Sequence, residues 1–145
     1  MKNPLIAKTT IEINAPASVV WHALITPELI KQYLFGTEAI SDWQEGSTVI
    51  YKGEWEGKTY EDKGKILKLI PNELMVATYW SSMSGIEDLP ENYNTVTYTL
   101  TSNGEKTTLE VTQDNIATEE TKQHSEKNWT GVLEGLKKVV ETKNY

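Results

Sequence analysis

The sequence predicts an α+β fold in which a curved antiparallel β-sheet wraps around a long C-terminal α-helix, with two short helices after the first strand. Three observations predict it. Apolar residues recur with a period of two in segment after segment from Leu5 to Gln113, and they recur at three and four residues from about Thr118 to Thr142. Between the first strand and the rest stand two short proline-headed segments. A sheet with one apolar face and a helix with one apolar stripe must cover each other, which sets the architecture.

The first segment, Leu5 to Asn14, places Ala7, Thr9, Ile11 and Ile13 on one side and Ile6, Lys8, Thr10 and Glu12 on the other, with the first set facing inward. Asn14-Ala-Pro16 stops it, because proline suits the first turn of a helix. A helix from about Pro16 to Ile25 gathers Val20, Trp21, Leu24 and the flanking Ile25 on one side. Thr26-Pro27-Glu28 repeats the start signal, with an acid near the positive end of the dipole, and opens a second helix to about Tyr33.

From Val49 the period is two. Val49, Tyr51, Gly53 and Trp55 alternate with Ile50, Lys52 and Glu54, and Glu56-Gly57 turns the chain into a strand from Lys58 to Ile70. Pro71-Asn72 makes the next turn, into a strand from Leu74 to Trp80. Ser81 to Asn92 reads as a long loop, and its Met83, Ile86 and Leu89 suggest a lid over a cavity mouth or a satellite cluster on the surface. Val96, Tyr98 and Leu100 then alternate with Thr95, Thr97, Thr99 and Thr101. Asn103-Gly104 is the expected hairpin turn into Leu109, Val111 and Gln113. The closing helix carries Trp129, Val132, Leu133, Leu136, Val139 and Val140 on one stripe, with Lys127, Lys137 and Lys138 outside it. At about 1.5 Å per residue it is roughly 37 Å long, enough to cross a sheet.

Composition removes several functions. The 145 residues carry a net charge of −7, with Lys as the sole strong base and no Arg, which argues against sequence-reading of nucleic acid. No Cys is present, so neither a thiol nucleophile nor a CxxC pair is available. No apolar run reaches the roughly 18 residues of a membrane span, and Met1-Lys-Asn-Pro lacks the apolar stretch of a signal peptide. The expectation is one cytoplasmic domain over residues 1–145, whose length suffices for a core without disulfides or metal.

Glu12-Ile-Asn-Ala-Pro16, Val20-Trp21-His-Ala-Leu24 and Thr26-Pro27-Glu28-Leu29 resemble the opening of the activator of heat-shock protein 90 ATPase homologue-like family, within the START-like (SRPBCC, birch-pollen-allergen-like) superfamily. Gly64 before Ile66, Pro71-Asn72-Glu-Leu74, Val96-Thr-Tyr98, Thr107-Thr-Leu109 and Trp129-Thr-Gly-Val-Leu133 with Leu136 continue the likeness over nearly the whole chain. The resemblance implies a helix-grip fold enclosing an apolar cavity between sheet and long helix. Members of the wider superfamily bind lipids, sterols, polyketides or plant phenolics, and some are cyclases or oxygenase subunits, so the fold alone does not choose a function.

Within that frame the candidate ligand-binding residues are Trp55, Tyr79, Trp80, Tyr98, Gln113, Trp129 and Leu133. Strand Trp and Tyr suit a pocket that is apolar yet offers an occasional donor, and alternation sends only one side of each strand inward. Tyr98 and Trp80 are the leading pair. Trp129 and Trp21 lie on helix stripes, where core packing is the first explanation and cavity lining the second. Gln113 shares a face with Leu109 and Val111, so it bonds neighbouring backbone or a ligand's polar end. Lys122, Ser125 and Glu126 extend the helix stripe backwards and read as solvated turns before they read as a cavity mouth.

Catalytic signals are thin. His22 and His124 read as surface histidines, no metal-binding spacing exists, and Gly-x-Ser-x-Gly is absent. Glu61-Asp62 is an adjacent acid pair, but neighbouring strand residues point to opposite faces. The expectation is a binding protein rather than an enzyme, without cofactor or metal, holding a small hydrophobic ligand. A co-chaperone-like module that stimulates a heat-shock protein 90 type ATPase is the alternative. A cavity beyond roughly 300 Å³ favours the ligand, and a filled core with an exposed apolar patch favours a protein partner.

Overall fold

A computed structural model describes residues 3–34, 36–82 and 85–142, with Trp55 described by its backbone alone. Strand β1 (Leu5–Ile13) is followed by helices α1 (Ala17–Leu24) and α2 (Pro27–Tyr33). Strands β2 (Glu38–Ile40), β3 (Thr48–Trp55), β4 (Lys58–Ile70) and β5 (Leu74–Ser81) come next, and a single 3₁₀ turn at Pro90–Asn92 leads to β6 (Asn94–Asn103) and β7 (Lys106–Ile116). Helix α3 (Glu119–Thr142) closes the fold. The strands form one antiparallel sheet in the order β1-β7-β6-β5-β4-β3-β2. Helix α3 spans its concave side, about 36 Å at 1.5 Å per residue.

The expected periodicities place the core. Ala7 and Ile13 of β1, Val20, Trp21 and Leu24 of α1, and Leu133, Leu136 and Val140 of α3 are buried together with Leu109 and Val111 of β7. Ile6, on the other face of β1, is half exposed. Gly135 lets α3 approach α2 closely, since a Cβ there would stand 3.3 Å from Tyr33 Cβ. No helix among the described residues is long and apolar enough to cross a membrane.

Helix α3 also guards a sheet edge. β1 pairs with β7 on one side alone, and on the other Glu126 Oε2 accepts the Lys8 N–H at 3.0 Å while Glu141 Oε2 accepts the Asn14 N–H at 2.8 Å. These bonds hold both carboxyls below the usual glutamate range, with the backbone donors the largest cause and Lys122 and Lys137 assisting. Lys122 and Glu126 therefore do not simply reach into water, as their polarity suggests.

The structure adds one strand to the expected set, shifts one turn and chooses between the two readings of the long loop. Strand β2 pairs Ala39 with Tyr51 as a three-residue edge that no periodicity announces. The last hairpin turns on Gly104-Glu105, with Asn103 paired to Lys106. Gly104 takes φ +70 at the first central position, the place a type II′ turn gives to glycine. The described part of the long loop does not close over the concave side. Trp80 Nε1 donates to Ile86 O at 3.1 Å, and Asp88 pairs with Lys63 and accepts from the Tyr93 hydroxyl, which ties residues 86–93 to the outer face of β4 and β5. Met83 lies outside the described residues.

Candidate functional site

Between the concave sheet face, α2 and α3 lies a cavity of about 510 Å³. Its floor is apolar: Leu24, Ile30, Met75, Leu133 and Leu136 meet there. Its mouth is polar, formed by Thr121, His124, Ser125 and Asn128 on the first turns of α3, opposite Glu54 near the β3–β4 turn. The walls between are aromatic, with Tyr51, Tyr60, Tyr79, Tyr98 and Trp129.

Strand parity explains who is inside. On β5, Met75 is 2% exposed and fixes its own face as inward, so Tyr79 and Ser81 follow it into the cavity while Trp80 faces out. Trp80 therefore does not line the cavity. Its indole stands 5.7 Å from the Lys63 ammonium on the outer surface. On β6, buried Val96 and Leu100 carry Tyr98 inward between them. Tyr98 meets Trp129 edge-on, with ring centroids 5.9 Å apart at 81°. Trp55 lies on β3, and its side chain is outside the described residues.

Among the described residues, the Gln113 amide oxygen bonds side chains of α3 rather than neighbouring backbone. Its Oε1 accepts from Trp129 Nε1 at 2.9 Å and from Ser125 Oγ at 3.1 Å, stitching β7 to α3 across the cavity wall. That bridge orients the Trp129 indole and turns Ser125 toward the sheet. Tyr79, Tyr98, Gln113, Trp129 and Leu133 are thus brought together in one lining, and Trp80 is left out.

The lining also includes residues outside the seven candidates named from the sequence. Tyr51, Asp62 and Ser81 form a row across β3, β4 and β5, because Tyr51 pairs with Asp62 and Asp62 with Ser81. Tyr79 donates its hydroxyl to Asp62 Oδ2 at 2.8 Å, while Asp62 Oδ1 is buried without a hydrogen-bond partner. Tyr60 lies over Gly53, where a Cβ would collide with its ring, and its hydroxyl reaches the buried Thr37 at 2.5 Å. Tyr33 donates to Ala23 O at 2.9 Å. The Glu61-Asp62 pair is split as alternation requires, and the same alternation puts Asp62 on the inward face with Gly64 and Ile66. Parity along β4 is the signal that identifies it.

Burial, and then the Asp62 charge, push the Tyr51 hydroxyl up to about 12 and the Tyr79 hydroxyl higher still. Burial likewise raises Tyr33 and Tyr98. All four remain neutral phenols across physiological pH, able to donate or accept. Among the described residues no group of three His, Asp or Glu is placed to hold a metal ion. His22 is exposed on α1 beside Thr26, whereas His124, exposed too, borders the cavity mouth. The arrangement can enclose an apolar body and meet its polar end with phenols, an amide and a carboxylate.

A curved antiparallel sheet gripping a long C-terminal helix around such a cavity defines a helix-grip protein of the START-like class. The family model described as Activator of Hsp90 ATPase homolog 1-like protein matches residues 14–141, and the chain belongs to that family. Among solved structures it is similar to ChR145 from Cytophaga hutchinsonii, at 50% identity and TM-score 0.85, covering 98% of this chain and 97% of that one. It is also similar to the Aha1 dimer from Colwellia psychrerythraea, at 21% identity and TM-score 0.74, covering 94% of this chain and 96% of that one. DynU16, a protein in the dynemicin biosynthetic locus, shares the fold at 17% identity and TM-score 0.78, covering 94% of this chain and 47% of that one. No functionally curated protein matches the sequence.

Proposed function

We propose that this protein binds a hydrophobic or aromatic-ring compound, such as a lipid, a polyketide or a flavonoid-like molecule, in the cavity between sheet and α3, and leaves it chemically unchanged. The cavity itself carries the reading. Its volume of about 510 Å³ lies within the range of small-molecule sites, roughly 300–1,000 Å³, and its lining mixes aliphatic and aromatic walls with a few convergent polar groups. The fold neighbour from the dynemicin biosynthetic locus lends support from small-molecule biosynthesis, by analogy of fold alone. A chaperone-directed role has less behind it. Among the described residues, the exposed apolar residues Ile6, Ile40 and Leu67 stand on three different strands, two of them at opposite sheet edges, and Ile86 and Leu89 alone share a segment, a pair too small to make a broad docking patch.

The test is a titration with flavonoids, sterols and fatty acids followed by backbone NMR shifts and by analysis of the recovered compound. Shifts centred on Tyr98, Gln113 and Trp129, with the compound returned intact, are expected. Saturation should also stabilise the fold by about 2.7 kcal/mol when free ligand is a hundredfold above its Kd. Shifts confined to Lys127 and Lys138 on the outer side of α3, or a new product, would reject the reading.

A further inference from the structure

The charge pattern of the lining goes one step beyond a generic apolar pocket. Among the described residues two carboxylates, Asp62 and Glu54, line the cavity, and no lysine does. Asp62 is the inner of the two, set in the cross-strand row with Tyr51 and Ser81. A carboxylate offers about four acceptor positions. Among the described residues, Asp62 receives one hydrogen bond, from Tyr79, and its Oδ1 is buried without a partner. Its charge is therefore under-compensated in a cavity walled by aromatic rings.

The rings suit the missing partner. Tyr51, Tyr79 and Tyr98 line the same space, and a cation among aromatic rings is held by their quadrupoles, more strongly where water is excluded. An anionic ligand would meet Asp62 and Glu54 with no lysine of the described lining to offset them, the one basic side chain there being His124 out at the mouth. We propose that the cavity selects a ring compound bearing an ammonium group, which Asp62 holds beside Tyr51, Tyr79 and Tyr98. The net charge of −7 draws such a cation toward the protein, and the polar mouth at Glu54 and Asn128 lies on its way in. This inference rests on the binding function proposed above.

Three probes sharing one bicyclic ring separate the two claims: naphthylmethylamine, naphthylmethanol and naphthoate, titrated at neutral pH with backbone shifts of Tyr51, Asp62, Tyr79 and Tyr98 as the readout. The ammonium probe should bind at least about tenfold more tightly than the carboxylate, with the alcohol between them. Asp62→Asn should weaken the ammonium probe about tenfold and the alcohol far less. If Asp62→Asn fails to fold, the ranking of the three probes on the unaltered protein decides alone. Alcohol and carboxylate binding as tightly as the ammonium overturns the inference and leaves the binding function standing. A cavity whose signals none of the three moves overturns both.

Discussion

Replacing Gly64 by alanine should damage the sheet beside the cavity far more than the loss of one glycine suggests. Gly64 is buried on β4, and a Cβ there would stand 1.7 Å from the carbonyl oxygen of Thr78 on β5. That is about 1.3 Å short of the closest approach, 3.0 Å, that real Cβ atoms tolerate, and the obstacle is backbone rather than a swinging side chain. Strand β5 must retreat. Retreat strains the Lys65 N–H to Thr78 Oγ1 bond, 2.9 Å long, and the neighbouring Lys63–Trp80 rung. Overpacking of about 1–3 kcal/mol and two weakened hydrogen bonds of about 1 kcal/mol each give a loss of about 3–5 kcal/mol. For a domain of this size the melting midpoint should fall by about 10–15 °C. Gly131→Ala is the matched control: it sits in helix α3, and nothing beyond its own helical turn stands within 4 Å of the new Cβ, so the same chemical change should stabilise by about 0.5–1 kcal/mol. Thermal and urea melts of both variants measure the contrast. A Gly64→Ala midpoint at or above that of the unaltered protein would refute the close-approach argument.

Leu136→Ala should cost about 2–5 kcal/mol by urea melt, because Leu136 is fully buried where α3 meets the cavity floor. An unchanged midpoint would contradict the grip of sheet on helix. Acid should weaken the clamp of α3 on β1. The Glu126 and Glu141 carboxyls are held below their ordinary value, so the stability they contribute is present above pH of about 4.3 and is lost as pH falls through their lowered values. Urea midpoints of Glu126→Gln/Glu141→Gln measured from neutral to acid pH should fall less steeply than those of the unaltered protein, and parallel curves would count against the clamp.

Residues that obey one strong periodicity are legible in the amino-acid sequence alone. The first strand, both proline-headed helices and the long α3 stripe follow directly, since burial of Ile13, Leu24 and Leu136 enforces the pattern. Strand β2 is not legible, because three residues hold no period and its place depends on pairing with Tyr51. The site is half legible. Tyr98 and Trp129 stand out by residue type and position, but aromatic bulk favours Trp80 over Tyr79 until parity is counted from Met75, two turns of the pleat earlier. Asp62 hides as one of an acid pair on a strand. Gln113's partners, Ser125 and Trp129, are tertiary neighbours on α3 that no local pattern reveals.

The clamp of α3 on β1 has a consequence for the order in which the chain acquires structure. In the sheet, β1 pairs with β7 alone, from Leu5 with Ile116 to Ile13 with Thr107, and its free edge waits for Glu126 and Glu141. Every strand partner of β1 therefore lies about a hundred residues downstream. During synthesis β1 leaves the ribosome long before anything it can pair with, and Lys8, Thr10 and Glu12, beside Ile6 on its outer face, keep most of that face polar. Contacts of such sequence separation slow folding, and closure of the sheet at β1 is expected late in it.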